Sequence, residues 1–169
     1  MKKLIVILFI FILASIFLHQ KKKIIIPNTA IRFRIIANSN EKEDQKLKYE
    51  IKNAIEPDIM SKLSNSNSIE EARENIKNYI PQAEETISLY TNDYKINYGN
   101  NYFPEKVYKG VTYEAGEYES LVVTLGNGLG ENWWCVLFPP LCLLEAEENE
   151  ISDTEYRFYV ADIINKIMN

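Results

Sequence analysis

The sequence is poor in histidine and cysteine. His19 is the single histidine among 169 residues, and it lies at the edge of an apolar N-terminal run, so none remains beyond residue 23. Catalysis by Ser-His-Asp or Cys-His groups needs a histidine base, and many metal sites need imidazole ligands. The scarcity of histidine excludes most common hydrolase mechanisms. We therefore expect a protein that is not an enzyme and that has no catalytic residues, metal or cofactor.

Basic residues are also scarce outside the N-terminus. Residues 1–23 contain five lysines and no acidic residue, which leaves 14 basic and 24 acidic residues, a formal charge of −10, in the remainder. Binding of nucleic acid through counterion release needs clustered lysine and arginine. The acidic balance argues against a nucleic-acid partner. Hydrophobic residues at 46% and charged residues at 25% are typical of a globular protein.

The N-terminus has the pattern of an export signal. Lys2 and Lys3 precede an apolar run from Leu4 to Leu18, which matches the n-region and h-region of a secretory signal. A 15-residue helix spans about 22 Å, which is shorter than the roughly 30 Å hydrocarbon core. No small-x-small cleavage site follows. Residues 1–23 are thus predicted as a cleaved signal peptide or an uncleaved membrane anchor, and residues 24–169 as one extracytoplasmic domain.

Hydrophobic periodicity predicts an α+β fold for that domain, with a mostly antiparallel sheet and helices packed on one face. Ile31–Ala37 alternates as a strand, with Arg32 and Arg34 on the face opposite the core. Helices follow, and Pro57 is expected to end or bend the first of them. All six glycines lie between Gly99 and Gly130, where the pattern changes to short strands and turns. A last amphipathic helix is predicted over Asp153–Met168.

Cap residues and turn residues set the predicted boundaries. The Asn38-Ser39-Asn40 segment supplies N-cap residues for the first helix, Ser68 with Glu71 forms a capping box for the second, and Ser152 with Glu155 forms one for the last. Ile24-Ile25-Ile26-Pro27 is assigned to the end of the export region. A hairpin turn is expected at Lys109-Gly110.

The two cysteines and the neighbouring tryptophans are the most distinctive residues. Cys135 and Cys142 flank a proline pair, and an even cysteine count in an exported protein favours a disulfide, with two buried free thiols as the alternative. The adjacent Trp133 and Trp134 face opposite sides of a strand. One is expected in the core, and the other either is packed inside as well or forms a binding anchor.

Acidic side chains near turns offer one enzymatic alternative. Glu114, Glu117, Glu119 and Glu131 fall close to predicted turns, and glycosidases use two carboxylates at a set separation. With 24 acidic residues such a cluster also arises by chance, as a solvated acidic face. The run from Glu145 to Glu150 is predicted to be a solvated linker.

Four stretches give the sequence a family resemblance. They are Ile31–Ser39 with the following Glu43-Asp44-Gln45, the pair Tyr98–Pro104 and Tyr113–Tyr118, and Gly130–Cys142 with its tryptophan pair, proline pair and two cysteines. Together they resemble stage II sporulation protein R over roughly residues 26–145.

The resemblance implies a signal and not a protease. Proteins of this family are expected to be exported from the forespore to the intermembrane space. There they activate a membrane-embedded aspartic-type peptidase of the septal or mother-cell membrane, which matures the precursor of sigma factor E. We expect Trp133, Trp134, Phe138, Tyr102 and Phe103 near the contact surface, while Arg32 and Arg34 either pair with acidic residues of the peptidase or form ion pairs on the sheet. The alternative function is an extracytoplasmic carboxylate-dependent hydrolase, or a binding module, for cell-wall glycans.

Overall fold

The structure is a computed structural model that describes residues 24–109, 111–142 and 152–168. The predicted signal or anchor segment, the linker from Glu145 and the turn residue Gly110 lie outside the described residues. The helices are α1 Lys42–Leu63, α2 Ile69–Ser88 and α3 Asp153–Met168. The strands are β1 Ile24–Ile25, β2 Ile31–Ile36, β3 Tyr94–Phe103, β4 Lys106–Tyr108, β5 Val111–Tyr113, β6 Gly116–Leu125 and β7 Asn132–Phe138. None of the helices in the described ranges is both long enough and apolar enough to cross a membrane.

The strands form two sheets, and both are mixed. The larger sheet has the order β3-β6-β2-β7, in which β2 runs parallel to β6 while β3–β6 and β2–β7 are antiparallel. The smaller sheet has the order β1-β5-β4, with β1 parallel to β5 and β4 antiparallel to it. The α+β class is confirmed, whereas the expectation of a mostly antiparallel sheet is wrong. Alternation along a strand reveals which face is buried, but it does not reveal the direction of the neighbouring strand.

The larger sheet is covered on both faces. Ile31, Phe33 and Ile35 of β2 point to one face and join a core with α1 and α2. Residues of the opposite face, such as Trp134 on β7, join a second core with β5 and with Tyr156 of α3. The prediction that helices pack on one face only is therefore wrong. The small sheet and α3 cover the second face of the larger sheet. This is why both faces of its central strands carry apolar or aromatic side chains.

Local chemistry places several element boundaries away from the predicted positions. α1 runs through Pro57 to Leu63 because the turns beyond the proline bury Ile59 and Met60, and this burial outweighs the lost hydrogen bond. The N-cap of α1 is Glu41, whose N–H is bonded to Ser39 Oγ at 3.1 Å. The Ile24–Ile25 pair, assigned above to the export region, forms β1 beside β5.

The predicted N-caps of the other two helices are confirmed, although the Glu71 carboxylate of the predicted Ser68 capping box accepts its hydrogen bond from Asn67 N–H at 2.8 Å. Glu71 N–H donates to Ser68 Oγ at 3.2 Å, which satisfies one of the unpaired donors at the start of α2. At the start of α3, Glu155 N–H donates to Ser152 Oγ at 3.3 Å and Ser152 N–H donates back to the Glu155 carboxylate at 3.1 Å. This reciprocal pair is a complete capping box.

Candidate binding site

Strand β7 carries the tryptophan pair at the edge of the larger sheet. Trp133 is half-buried and meets Phe33 edge-to-face, with ring centroids 5.6 Å apart. Trp134 is 8% exposed and makes edge-to-face contacts with Tyr113 at 4.9 Å and Phe103 at 5.9 Å. The two rings thus belong to the cores on opposite faces of the sheet, as consecutive strand residues must.

A cleft of about 270 Å³ lies beside these tryptophans. Elements from distant parts of the sequence line it: α1, the β4–β5 hairpin and the start of β7. The lining residues are Tyr49, Lys52, Lys106, Tyr108, Tyr113, Asn132, Trp133 and Trp134. The set combines aromatic rings with two ammonium groups and contains no carboxylate. Such a set favours an anionic ligand group held between aromatic walls.

Both lysines of the cleft lie against aromatic rings. Lys106 is exposed, and its Nζ lies 5.0 Å from the Trp134 ring centroid and 5.6 Å from that of Tyr108. Lys52 Nζ lies 5.1 Å from the Trp133 ring and forms an ion pair with Glu56 at 2.7 Å. The Lys52 charge is therefore partly neutralised, whereas no ion pair joins Lys106 to any carboxylate in the described part of the chain. Lys106 is thus the cation of the cleft that remains available to a ligand.

A disulfide between Cys135 and Cys142 holds the end of β7, and it joins Cα atoms 5.2 Å apart. The Phe138–Pro139 peptide bond in this loop is cis. Leu141 N–H donates to Val136 O at 3.1 Å, so the loop folds back along the outer side of β7. Phe138 is 3% exposed and packs in the core of α1 and α2, away from the cleft.

Arg32 is buried inside the second core, behind the cleft. Its guanidinium carbon lies 3.4 Å from the ring centroid of Tyr118 and 5.2 Å from that of Trp134. Burial lowers the pKa of Arg32, although the Tyr118 and Tyr113 hydroxyls act in the opposite direction. Its single direct hydrogen bond in the described residues, from Nη2 to Glu114 O, is long at 3.4 Å. Arg32 therefore does not present its charge to the surface.

The remaining predicted contact residues lie next to this core. Arg34 is half-buried, and its guanidinium lies 4.5 Å from the Phe103 ring while its Nη1 donates to Tyr102 O at 3.4 Å. Burial lowers the pKa of Arg34 too. Phe103 is fully buried, whereas Tyr102 is 59% exposed. The structure thus brings Arg32, Arg34, Phe103 and Trp134 together internally, with Tyr102 at the surface; whether they contact a partner stays a prediction.

Residues 27–148 match the profile of the family described as Stage II sporulation protein R, which is more than half of the chain. The chain belongs to this family. A relative from Bacillus subtilis (strain 168), "Stage II sporulation protein R", is 42% identical over 137 residues, which cover 78% of this chain. They cover 61% of the relative, so the match spans less than two thirds of its length. No solved structure matches significantly.

All residues that line the cleft lie within the part of the chain that matches the family, whereas α3 lies beyond it. Sequence reasoning identified the tryptophans of the cleft but missed Tyr49, Lys52, Lys106 and Tyr108. The first two are on a helix that precedes β7 by some 80 residues, so local periodicity carries no signal of their contact. Lys106 and Tyr108 stand in the predicted hairpin region, but only its packing against β7 reveals their role.

The carboxylates considered for glycan hydrolysis differ in their environments. Glu119 accepts hydrogen bonds from Arg73 Nε and Nη2 at 2.9 Å and from Tyr98 Oη at 2.6 Å. Partial burial raises the pKa of Glu119, but these hydrogen bonds outweigh it and the net pKa is lowered. This carboxylate is held ionised as part of an ion pair between α2 and β6. Glu114, Glu117 and Glu131 are exposed.

One group of side chains has the composition of a metal site. The Glu56 carboxylate and the sulfur atoms of Cys135 and Cys142 lie within 4.8 Å of one another and are buried. Metal binding by cysteine needs thiolates. Both sulfur atoms are in the disulfide and Glu56 is paired with Lys52, so this oxidised cluster does not offer a ligand set.

Proposed function

We propose that this protein is an exported signalling protein of sporulation. It binds a membrane-embedded aspartic-type peptidase and activates it, so that the precursor of sigma factor E is cut. Membership of the stage II sporulation protein R family carries the sporulation role. Export depends on residues 1–23, whose basic start and apolar run match a secretory signal.

The lysine-aromatic cleft supports a role in binding another molecule. Tryptophan and tyrosine side chains that line a shared cleft, as they do here, are typical of interaction hot spots. Activation further requires that the protein binds the active form of the peptidase more tightly than the inactive form, because a ligand shifts an equilibrium only through differential affinity. The cleft is the surface through which this difference in affinity would arise.

The decisive experiment removes the protein from sporulating cells and follows the sigma-factor precursor by immunoblot. We expect the precursor to accumulate uncut and the wild-type gene to restore cutting. In a non-sporulating host, the precursor and the peptidase should give cut product only when this protein is expressed with an export signal. Normal processing without the protein would refute the proposal.

A further inference from the structure

The cleft lies along the outer edge of β7 and not on one face of the sheet. Trp133 and Trp134 both line it, although consecutive residues of a strand point to opposite faces. A single cavity contacts both side chains only where it passes around the side of the strand. The strand order places β7 at the edge of the larger sheet, with β2 on its other side. Backbone groups of β7 are therefore part of the cleft wall.

The direction of these backbone groups follows from the neighbouring loop. Val136 O accepts a hydrogen bond from Leu141 N–H, so it points away from β2. Along a strand of an antiparallel pair, every second residue points both its N–H and its C=O away from the partner strand, and the residues between them point both groups toward it. Trp134 and Asn132 therefore also point theirs outward, toward the cleft. Their separation along the strand is about 6.8 Å, which gives an extended segment two points of attachment.

The charge of the cleft indicates which kind of peptide segment would bind there. Lys52 and Lys106 line it, no carboxylate does, and the chain beyond residue 23 has a formal charge of −10. A cationic groove on an acidic protein attracts acidic ligands and repels basic ones. The Lys106 ammonium, without a carboxylate partner in the part of the chain that the structure describes, is placed to meet a carboxylate on the added segment.

We propose that the peptidase inserts an extended, acidic segment into this cleft as an additional strand beside β7. Backbone hydrogen bonds to Asn132 and Trp134 would hold the segment, and an aspartate or glutamate would meet Lys106. The added strand ends at Val136, where the disulfide-closed loop occupies the edge. This inference rests on the proposed function, since it names how the same partner is bound.

The backbone part of the proposal is tested by comparing Asn132→Pro with Asn132→Ala in the full chain. Both variants remove the same exposed side chain, but proline also removes the outward N–H and leaves the ladder to β2 intact. Loss of one hydrogen bond corresponds to about tenfold in affinity. We expect precursor processing in sporulating cells to be about tenfold slower for Asn132→Pro than for Asn132→Ala. Equal rates would overturn the proposal.

The charge is tested by Lys106→Glu, with Lys95→Glu as the matched control. Lys95 is an exposed lysine on β3, the strand at the opposite edge of the sheet. We expect roughly tenfold slower processing for Lys106→Glu and less than a twofold change for Lys95→Glu. If deletion of the gene stops processing while Lys106→Glu behaves like its control, the proposed function stands and the strand addition is wrong.

A photo-crosslinker identifies the occupant directly. In the full chain, p-benzoylphenylalanine replaces Tyr49, an exposed aromatic residue of the cleft, so that Lys106 is kept, and adducts from sporulating cells are mapped by mass spectrometry. An adduct to a stretch of the peptidase that contains Asp or Glu, weakened when Asn132→Pro is added, supports the proposal. An adduct to cell-wall glycan, to a basic stretch of the peptidase, or to no molecule overturns it. This measurement does not depend on processing, so it separates failure of strand addition from failure of the proposed function.

Discussion

Arg32 lies wholly inside the protein with aromatic rings as its main neighbours. Its guanidinium carbon is 3.4 Å from the ring centroid of Tyr118, 5.0 Å from that of Phe103, 5.2 Å from that of Trp134 and 5.9 Å from that of Tyr113. No carboxylate of the described residues pairs with it. The contribution of Arg32 to stability therefore depends on the balance between its attraction to the rings and the cost of removing its charge from water.

The costs of burying the Arg32 charge are at least as large as the contributions of the rings that oppose them. A desolvated cation over one close ring contributes about 2 kcal/mol, and the three more distant rings contribute about 0.5–1 kcal/mol each. Burial of the charge costs several kcal/mol, and Nε and Nη1, which have no hydrogen-bond partner in the described part of the protein, add about 1–3 kcal/mol each. The charge of Arg32 is thus expected to contribute little net stability, whereas its volume fills the second core.

Among three substitutions of Arg32, we expect methionine to give the most stable variant and alanine the least stable one. Arg32→Met keeps most of the volume and removes the charge, so it should change the free energy of unfolding by less than about 1.5 kcal/mol. Arg32→Ala should lose about 3–5 kcal/mol through the cavity. Arg32→Lys should lose about 2–4 kcal/mol, because an ammonium is more strongly hydrated and has no flat face to stack.

Urea unfolding of the purified variants, followed by tryptophan fluorescence, measures this order. Because Arg32 is buried, Arg32→Met should also retain precursor processing in sporulating cells. The reasoning would be refuted if Arg32→Met were as unstable as Arg32→Ala, or if Arg32→Lys were more stable than Arg32→Met. Either result would show that the guanidinium charge itself stabilises the core.

Two further predictions concern the disulfide and the Arg73–Glu119 ion pair. Replacing both Cys135 and Cys142 by alanine should lower the free energy of unfolding by about 2–3 kcal/mol, the chain-entropy value for so short a loop, which urea unfolding with and without reductant checks. Glu119→Gln should cost about 1 kcal/mol at pH 7, since its partner Arg73 is 38% exposed and solvent weakens the pair. Because the pKa of Glu119 is lowered on folding, its contribution is present above the ordinary value of 4.5 and is lost as pH falls below it. Unfolding curves at pH 7 and pH 3.5 should therefore show the gap between wild type and Glu119→Gln closing at the lower pH; an unchanged gap would contradict the assignment.

Alternation and caps predicted the local elements well. The pattern of Ile31–Ala37 assigned Phe33 to the core and Arg32 to the opposite face, and both assignments hold. What alternation could not predict is that the opposite face is itself covered, because its cover comes from β5 and from α3, far along the chain. Strand β1 could not be predicted from the sequence, because two residues are too few to show the alternation of a strand.

The candidate site was predictable only in the residues that are unusual by themselves. Trp133 and Trp134 stand out in any sequence, and the structure places both in the cleft wall. Lys52 does not stand out, since lysines on a helix are normally solvated. Its role arises when α1 packs beside β7 and brings Nζ to 5.1 Å from the Trp133 ring. Long-range packing thus decides which ordinary residues join the site.

The proposed strand addition would use an edge that the architecture makes selective. An exposed strand edge tends to pair with other chains, and proteins usually limit such edges with charges or covering loops. Here the disulfide-closed loop covers β7 at Val136 and leaves Asn132 to Trp134 beside the cleft. The Lys106 charge disfavours a basic strand at that position and favours an acidic one. Within the residues that the structure describes, the part of the edge beside the cleft is therefore short and charge-selective, which disfavours indiscriminate strand pairing and would suit the acidic segment proposed above.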